Sequence, residues 1–185
     1  MTQITGIGFS NFRVFSKPTF FDLAPITIFT GTNSSGKSSV FKGLLLLNDN
    51  NASLNDLDFS GHLHKLGTYA NALTFDSGRD VMEFAFKFEA KGAFFDNYQY
   101  VLQFGPSASN REGGKLVGYY IRDINSNTKL LSASKKSASL EIRFLFNKLE
   151  NDIMPRFKLA YDEWQNNPLP SFKILGDIIK KSSIK

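Results

Sequence analysis

The chain has 185 residues and a mass of 20.7 kDa, is 42% hydrophobic and 21% charged, and contains no cysteine. That is the size of one domain or part of one, with enough apolar content for a core. It excludes a wholly disordered protein, disulfide scaffolds, zinc–thiolate sites, iron–sulfur clusters and cysteine nucleophiles. The net charge of +5 is uneven: residues 1–128 hold 11 basic and 11 acidic residues, and residues 129–185 hold 11 basic and 6 acidic. A basic end can contact nucleic acid, but without a dense Lys/Arg block it reads first as a solvated surface. The longest pure apolar run, Leu44-Leu45-Leu46-Leu47, is far too short for a membrane span. The start, Met1-Thr2-Gln3-Ile4-Thr5, has neither a basic n-region nor an apolar h-region. The expectation is a cytoplasmic protein with no membrane partner.

In chain order, Ile4, Ile7 and Phe9 open an extended segment that Asn11 to Phe15 is expected to continue. Thr19 to Leu23 reads as a second strand. Ile26-Thr27-Ile28-Phe29 reads as a third, short and β-branched, as a buried strand would be. Ser39 to Leu47 then reads as a mostly buried helix, closed by the turn formers Asn48 to Asn51. Val81 to Glu89 and Tyr98 to Phe104 predict antiparallel strands, with turns at Lys91-Gly92 and between Gly105 and Gly114. Lys115 to Asp123 and Thr128 to Ser132 predict a hairpin across Asn125-Ser126-Asn127. From about Ser139 the pattern reads as helical: Leu140, Phe144, Leu145 and Leu149 share a helix face. Pro155 is placed to start another helix, and Pro168 and Pro170 break the chain before Phe172 to Lys181. The expected organisation is a lobe over residues 1–135, with an antiparallel β region at about 80–133, and a helical segment over 136–185.

Between the third predicted strand and the first helix stands Gly31-Thr32-Asn33-Ser34-Ser35-Gly36-Lys37-Ser38, the spacing of a phosphate-binding P-loop. Glycines at both ends permit backbone angles that a Cβ would forbid. The loop then turns its N–H groups inward onto phosphate oxygens, and the helix start adds a positive dipole end. Lys37 is placed for the β- and γ-phosphates, and the Ser38 hydroxyl for Mg²⁺. The expected ligands are therefore the phosphates of a nucleotide and Mg²⁺. A GTPase is disfavoured, because no Asn/Thr-Lys-x-Asp base-reading motif is present.

Other candidate chemistry is weak. His62 and His64 lack nearby carboxylates at metal-ligand spacing. Asp56 with Asp58, and Asp162 with Glu163, lie in turn-like or helical settings that do not make a nuclease centre.

Asn11-Phe12-Arg13-Val14-Phe15, an apolar strand, and Gly31 to Ser39 together resemble the N-terminus of ABC/SMC-type AAA ATPases. That group includes the OLD (overcoming lysogenisation defect) ATPases and those of Septu-like and retron-linked phage defence. His64-Lys65-Leu66-Gly67-Thr68-Tyr69 resembles the segment after the first helix there. The resemblance covers about residues 4–90. It implies an α/β P-loop NTPase fold, the N-terminal lobe of a head that dimerises or forms a higher oligomer around ATP. Gly31, Thr32, Asn33, Ser34, Ser35, Gly36, Lys37, Ser38 and Ser39 would hold the triphosphate, with Asn33 by the γ-phosphate. Arg13 either approaches the nucleotide or is a surface arginine. The implied partners are a nuclease or toxin effector, and DNA.

The departures from the family are as informative. No strand ends in the Asp-Glu pair of a Walker B motif, and the Ser-Gly-Gly signature is missing. Tyr119 to Asp123 imitates the former poorly, since Arg122 interrupts it and no Glu follows Asp123. Gln99 and Gln103 read as strand-face glutamines before metal sensors. Hydrolysis would need a C-terminal half or a partner. The alternative is a scaffold that senses ATP without hydrolysing it and assembles a toxin or nuclease complex.

Overall fold

A computed structural model describes residues 3–50, 55–89, 97–108, 112–136 and 139–144. The predicted Lys91-Gly92 turn and the helices expected beyond residue 144 fall outside them. Strands β1 (Gln3–Ser10) and β2 (Thr19–Asp22) come first, then helix α1 (Lys37–Asp49), the two-residue strand β3 (Asp56–Leu57) and the short helix α2 (Tyr69–Ala72). Strands β4 (Met82–Glu89), β5 (Asn97–Pro106), β6 (Gly114–Asp123), β7 (Lys129–Lys136) and β8 (Ser139–Phe144) follow. The fold combines α and β elements and is dominated by one antiparallel sheet in the order β2-β1-β4-β5-β6-β7-β8, with β3 on β6.

Register explains the core. Phe9 faces Phe84, Phe84 faces Leu102, Leu102 faces Tyr119, and Tyr119 faces Ala133. Directly opposed residues share a face, so five strands lay one buried row across the sheet. Helix α1 packs at the Phe9 end of this row. Its buried residues, Ser39, Val40, Gly43 and Leu46, recur at three- and four-residue spacing, the stripe one helix face presents. Gly43 is where the helix meets the sheet: a Cβ there would run into the Phe9 ring and come 3.3 Å from Phe12. Phe12 and Phe15 stack on Phe9, and Phe84 meets Phe9 edge-on.

Three sequence expectations need correction. The extended segment does not run on through Phe15. Asn11 and Arg13 take positive φ (53° and 52°), and Phe12 and Phe15 bridge each other across a tight turn. Burying Phe12 and Phe15 beside Phe9 requires the chain to double back. Next, Ile26 to Phe29 is neither a paired strand nor buried: Ile26 is 83% and Ile28 79% exposed. Only Phe29 is anchored, its ring 5.5 Å from Phe21 and 5.7 Å from Phe41. Helix α1 is accordingly buried on one stripe only, with Phe41 and Leu44 exposed. Last, Ser139 to Phe144 is strand β8, paired with β7 from Leu131↔Phe144 to Lys136↔Ser139. Leu140, Ile142 and Phe144 alternate with Ser139, Glu141 and Arg143, and this period of two outweighs the sparser helical spacing once β7 offers a partner.

The other strand readings hold. The β6–β7 turn falls at the predicted asparagines, with Asp123 accepting from the Ser126 N–H at 2.7 Å. Asp123 thus caps a hairpin and does not end a Walker B strand. Among the described residues, no helix is long and apolar enough to cross a membrane.

Candidate phosphate-binding site

The loop between Gly31 and Lys37 folds as its glycines require. Gly31 (φ 143°) and Gly36 (φ 97°) lie in the left-handed region, where an L side chain is strained. Ser34 also takes positive φ (65°), and the Ser35 N–H bonds the Thr32 carbonyl at 3.3 Å. Gly36 is the N-cap of α1. No side chain caps this helix end, and its first turn holds no acidic residue. The helix therefore presents its N-terminal amide groups and positive dipole end without an internal counter-charge.

Lys37 fills the bend. Its ammonium donates to the Gly31 carbonyl at 2.7 Å, the Thr32 carbonyl at 2.5 Å and the Ser35 hydroxyl at 3.2 Å. The charge is thus held over the loop it would share with an anion. These are surface bonds in water, each of modest net value, so an incoming phosphate can exchange for them. Thr32, Asn33, Ser34 and Ser35 are exposed, as is Ser38 on the first helical turn; Ser39 is buried beneath.

The chain's early turn closes on this loop. A Cβ at Gly36 would lie 2.8 Å from Phe15 and 2.9 Å from Val14. The Phe12–Phe15 turn therefore presses on the last residue before Lys37, and only glycine fits there. Arg13 sits in that turn, half-buried. Its N–H donates to the Ala72 carbonyl at 2.7 Å, while its Nε is buried and makes no hydrogen bond. The residues that meet the loop at Gly36 are thus Val14 and Phe15, which follow Arg13 in the turn.

Sequence reasoning missed what holds this turn. Asn11 is fully buried, and its amide donates to the carbonyls of Arg79 (2.7 Å) and Val81 (3.0 Å). Arg79 donates back to the Ser16 carbonyl and, at 3.5 Å, to the Ser10 hydroxyl. These partners are more than sixty positions apart in the chain, so no local pattern announces them.

Other candidates separate from the loop. Gln99 accepts from Arg122 Nε, and Gln103 donates to Glu83 at 2.8 Å, so both serve cross-strand pairing. His62 is exposed, whereas His64 is buried near the far end of α1, its Nε2 3.5 Å from Asp49. Its Nδ1 accepts the Leu66 N–H at 3.3 Å. Desolvation holds the His64 imidazole below its ordinary pKa, against the pull of Asp49 and Asp58. Among the described residues, no three His, Asp or Glu side chains gather where a metal ion could bind.

No protein-family model matches this chain, and no curated protein is significantly similar to it.

Proposed function

We propose that this chain is the nucleotide-binding lobe of a P-loop ATPase head of the ABC/SMC type. One observation carries the reading: an uncapped helix start behind a glycine-bounded loop, with Lys37 clasping the carbonyls of Gly31 and Thr32. An anion in that bend would meet amide hydrogens, a helix dipole and an ammonium group. Residues Gly31 to Ser39 hold the triphosphate of ATP, and Lys37 neutralises its outer phosphates. Mg²⁺ fits in part. The Ser38 hydroxyl is a hard oxygen ligand, and this ion takes most of its other ligands from phosphates and water. When bound, it would draw charge off the phosphate oxygens.

The lobe is incomplete for hydrolysis. No strand in the sequence ends in the Asp-Glu pair that activates water in such heads, and the described residues hold no cluster of three His, Asp or Glu that could bind a metal. Ile26 and Ile28 also expose apolar side chains just before the loop, and Phe29 after them packs against the exposed Phe41. A second lobe, from the same polypeptide or a partner, covers this edge with strands and brings the acid that activates water. ATP then draws two heads together, and the head regulates a DNA-directed or anti-phage effector, a nuclease or toxin. The missing acid equally favours the second reading, a scaffold that binds ATP without turnover and assembles that effector.

Lys37→Ala tests the site. Calorimetric titration with Mg²⁺-ATP should show binding by the wild type and none by the variant, with unchanged circular dichroism. A variant affinity within about threefold of wild type, less than a kcal/mol, would show that Lys37 does not grip the phosphates. The chain alone should show no ATP turnover; several turnovers per minute would rule out the incomplete lobe.

A further inference from the structure

We propose that Arg79 is a positioning residue for the phosphate loop, holding in place the turn against which Gly36 is built; this rests on the nucleotide-binding reading above. The turn is costly by itself. Asn11 and Arg13 both sit at positive φ, and Asn11 Oδ1 and Arg13 Nε are buried without hydrogen bonds. Such strain persists only where the surroundings impose it, and it gathers at functional sites. The loop before β4 imposes it here. The Arg79 guanidinium reaches Ser10 at one end of the turn and Ser16 at the other, closing it like a staple. The Arg79 carbonyl meanwhile takes the Asn11 amide. One residue thus fixes the turn from both sides.

The turn passes that constraint on. Val14 and Phe15 stand where any Cβ on Gly36 would be. Gly36 sets the direction in which α1 begins and the place from which Lys37 reaches back. If the staple opens, the turn can relax its left-handed residues, and the wall behind Gly36 moves. The phosphate loop then loses its shape without losing any residue that touches phosphate. A rigid planar fork with spaced donors suits this task, whereas a lysine's single ammonium cannot bridge both ends in the same geometry.

The test is Mg²⁺-ATP titration of the full chain at a temperature where circular dichroism shows every variant folded. Arg79→Ala and Arg79→Lys should each weaken ATP about tenfold, since small displacements of a positioned site carry such costs. Val14→Ala should weaken it less. The double variant Arg79→Ala/Val14→Ala should bind within about twofold of Arg79→Ala alone, because residues acting through one element couple. A purely structural role would lower the melting temperature and leave the affinity of the folded protein unchanged, which would overturn the proposal. So would full rescue by Arg79→Lys, since charge and not the fork would then be at work. If Arg79→Ala does not fold, Arg79→Lys with and without Val14→Ala decides on the same criteria. A wild type that binds no ATP would instead remove the nucleotide reading on which the proposal stands.

Discussion

The middle of the sheet and the edge around the Gly31–Lys37 loop follow opposite rules. Between β1 and β6 every strand has neighbours on both sides, and Phe9, Phe84, Leu102 and Tyr119 form a closed row. Around residues 26–36 the chain is extended or looped, its isoleucines face outward, and Lys37 just after it bonds its backbone. Burial supplies the stability of the first region. The second gives up burial, with Gly31 to Ser35 all exposed. The two regions are joined by α1 and by the Phe12–Phe15 turn.

Substitutions sharpen that contrast, and the largest effect belongs to the sheet. Phe84, 1% exposed, touches Phe9, Phe12 and Phe104. Phe84→Ala should cost about 3–5 kcal/mol through the cavity it leaves, read as a lower urea midpoint at unchanged slope. A cost under about 1 kcal/mol would mean that the row is not the core.

At the junction, Gly36→Ala should cost about 1–3 kcal/mol, because it sets a side chain at φ 97° against Val14 and Phe15. Thermal melting would check this, and a variant as stable as wild type would mean that the turn does not press on the loop.

A smaller effect is expected from pH at the far end of α1. The buried His64 titrates below its ordinary value because desolvation disfavours its charged form. The unfolded chain therefore binds this proton first as pH falls. The stabilising contribution of neutral His64 is complete above the ordinary imidazole value, near 6.5. It is lost progressively as pH drops from there toward the depressed value. Urea titrations at stepped pH should show stability falling on acidification across that window, with a shallower fall in His64→Gln. Identical profiles for the two proteins would remove His64 as the cause.

The smallest effect belongs to the edge. Ile28→Lys, at a 79% exposed position, should shift the stability of the isolated chain by no more than about 0.5 kcal/mol. If the proposed second lobe covers that edge, the substitution should nevertheless weaken assembly with it, read by analytical ultracentrifugation with ATP. A large loss of stability in the chain alone would show that Ile28 is already buried in solution.

Much of this was legible in the chain because the signals are local. The alternation over 82–89 and 98–104, the asparagine turn at 125–127 and the glycine spacing of the Gly31–Lys37 loop each act within a few residues. Ile26 to Phe29 misled for the same reason. Its β-branched composition states a preference, yet burial depends on a neighbour, and the described sheet ends at β2 without offering one. Ser139 to Phe144 misled in the opposite direction, since β7 supplied a partner that no helical count anticipates.

What the sequence determined by itself was the bend between Gly31 and Lys37, since φ-permissive glycines, a lysine and a helix start at fixed spacing need no distant help. What only the tertiary structure decided was the wall behind that loop. Asn11, Arg79, Ser10 and Ser16 meet across more than sixty residues, and a hydrogen bond between such partners exists only once the chain has folded.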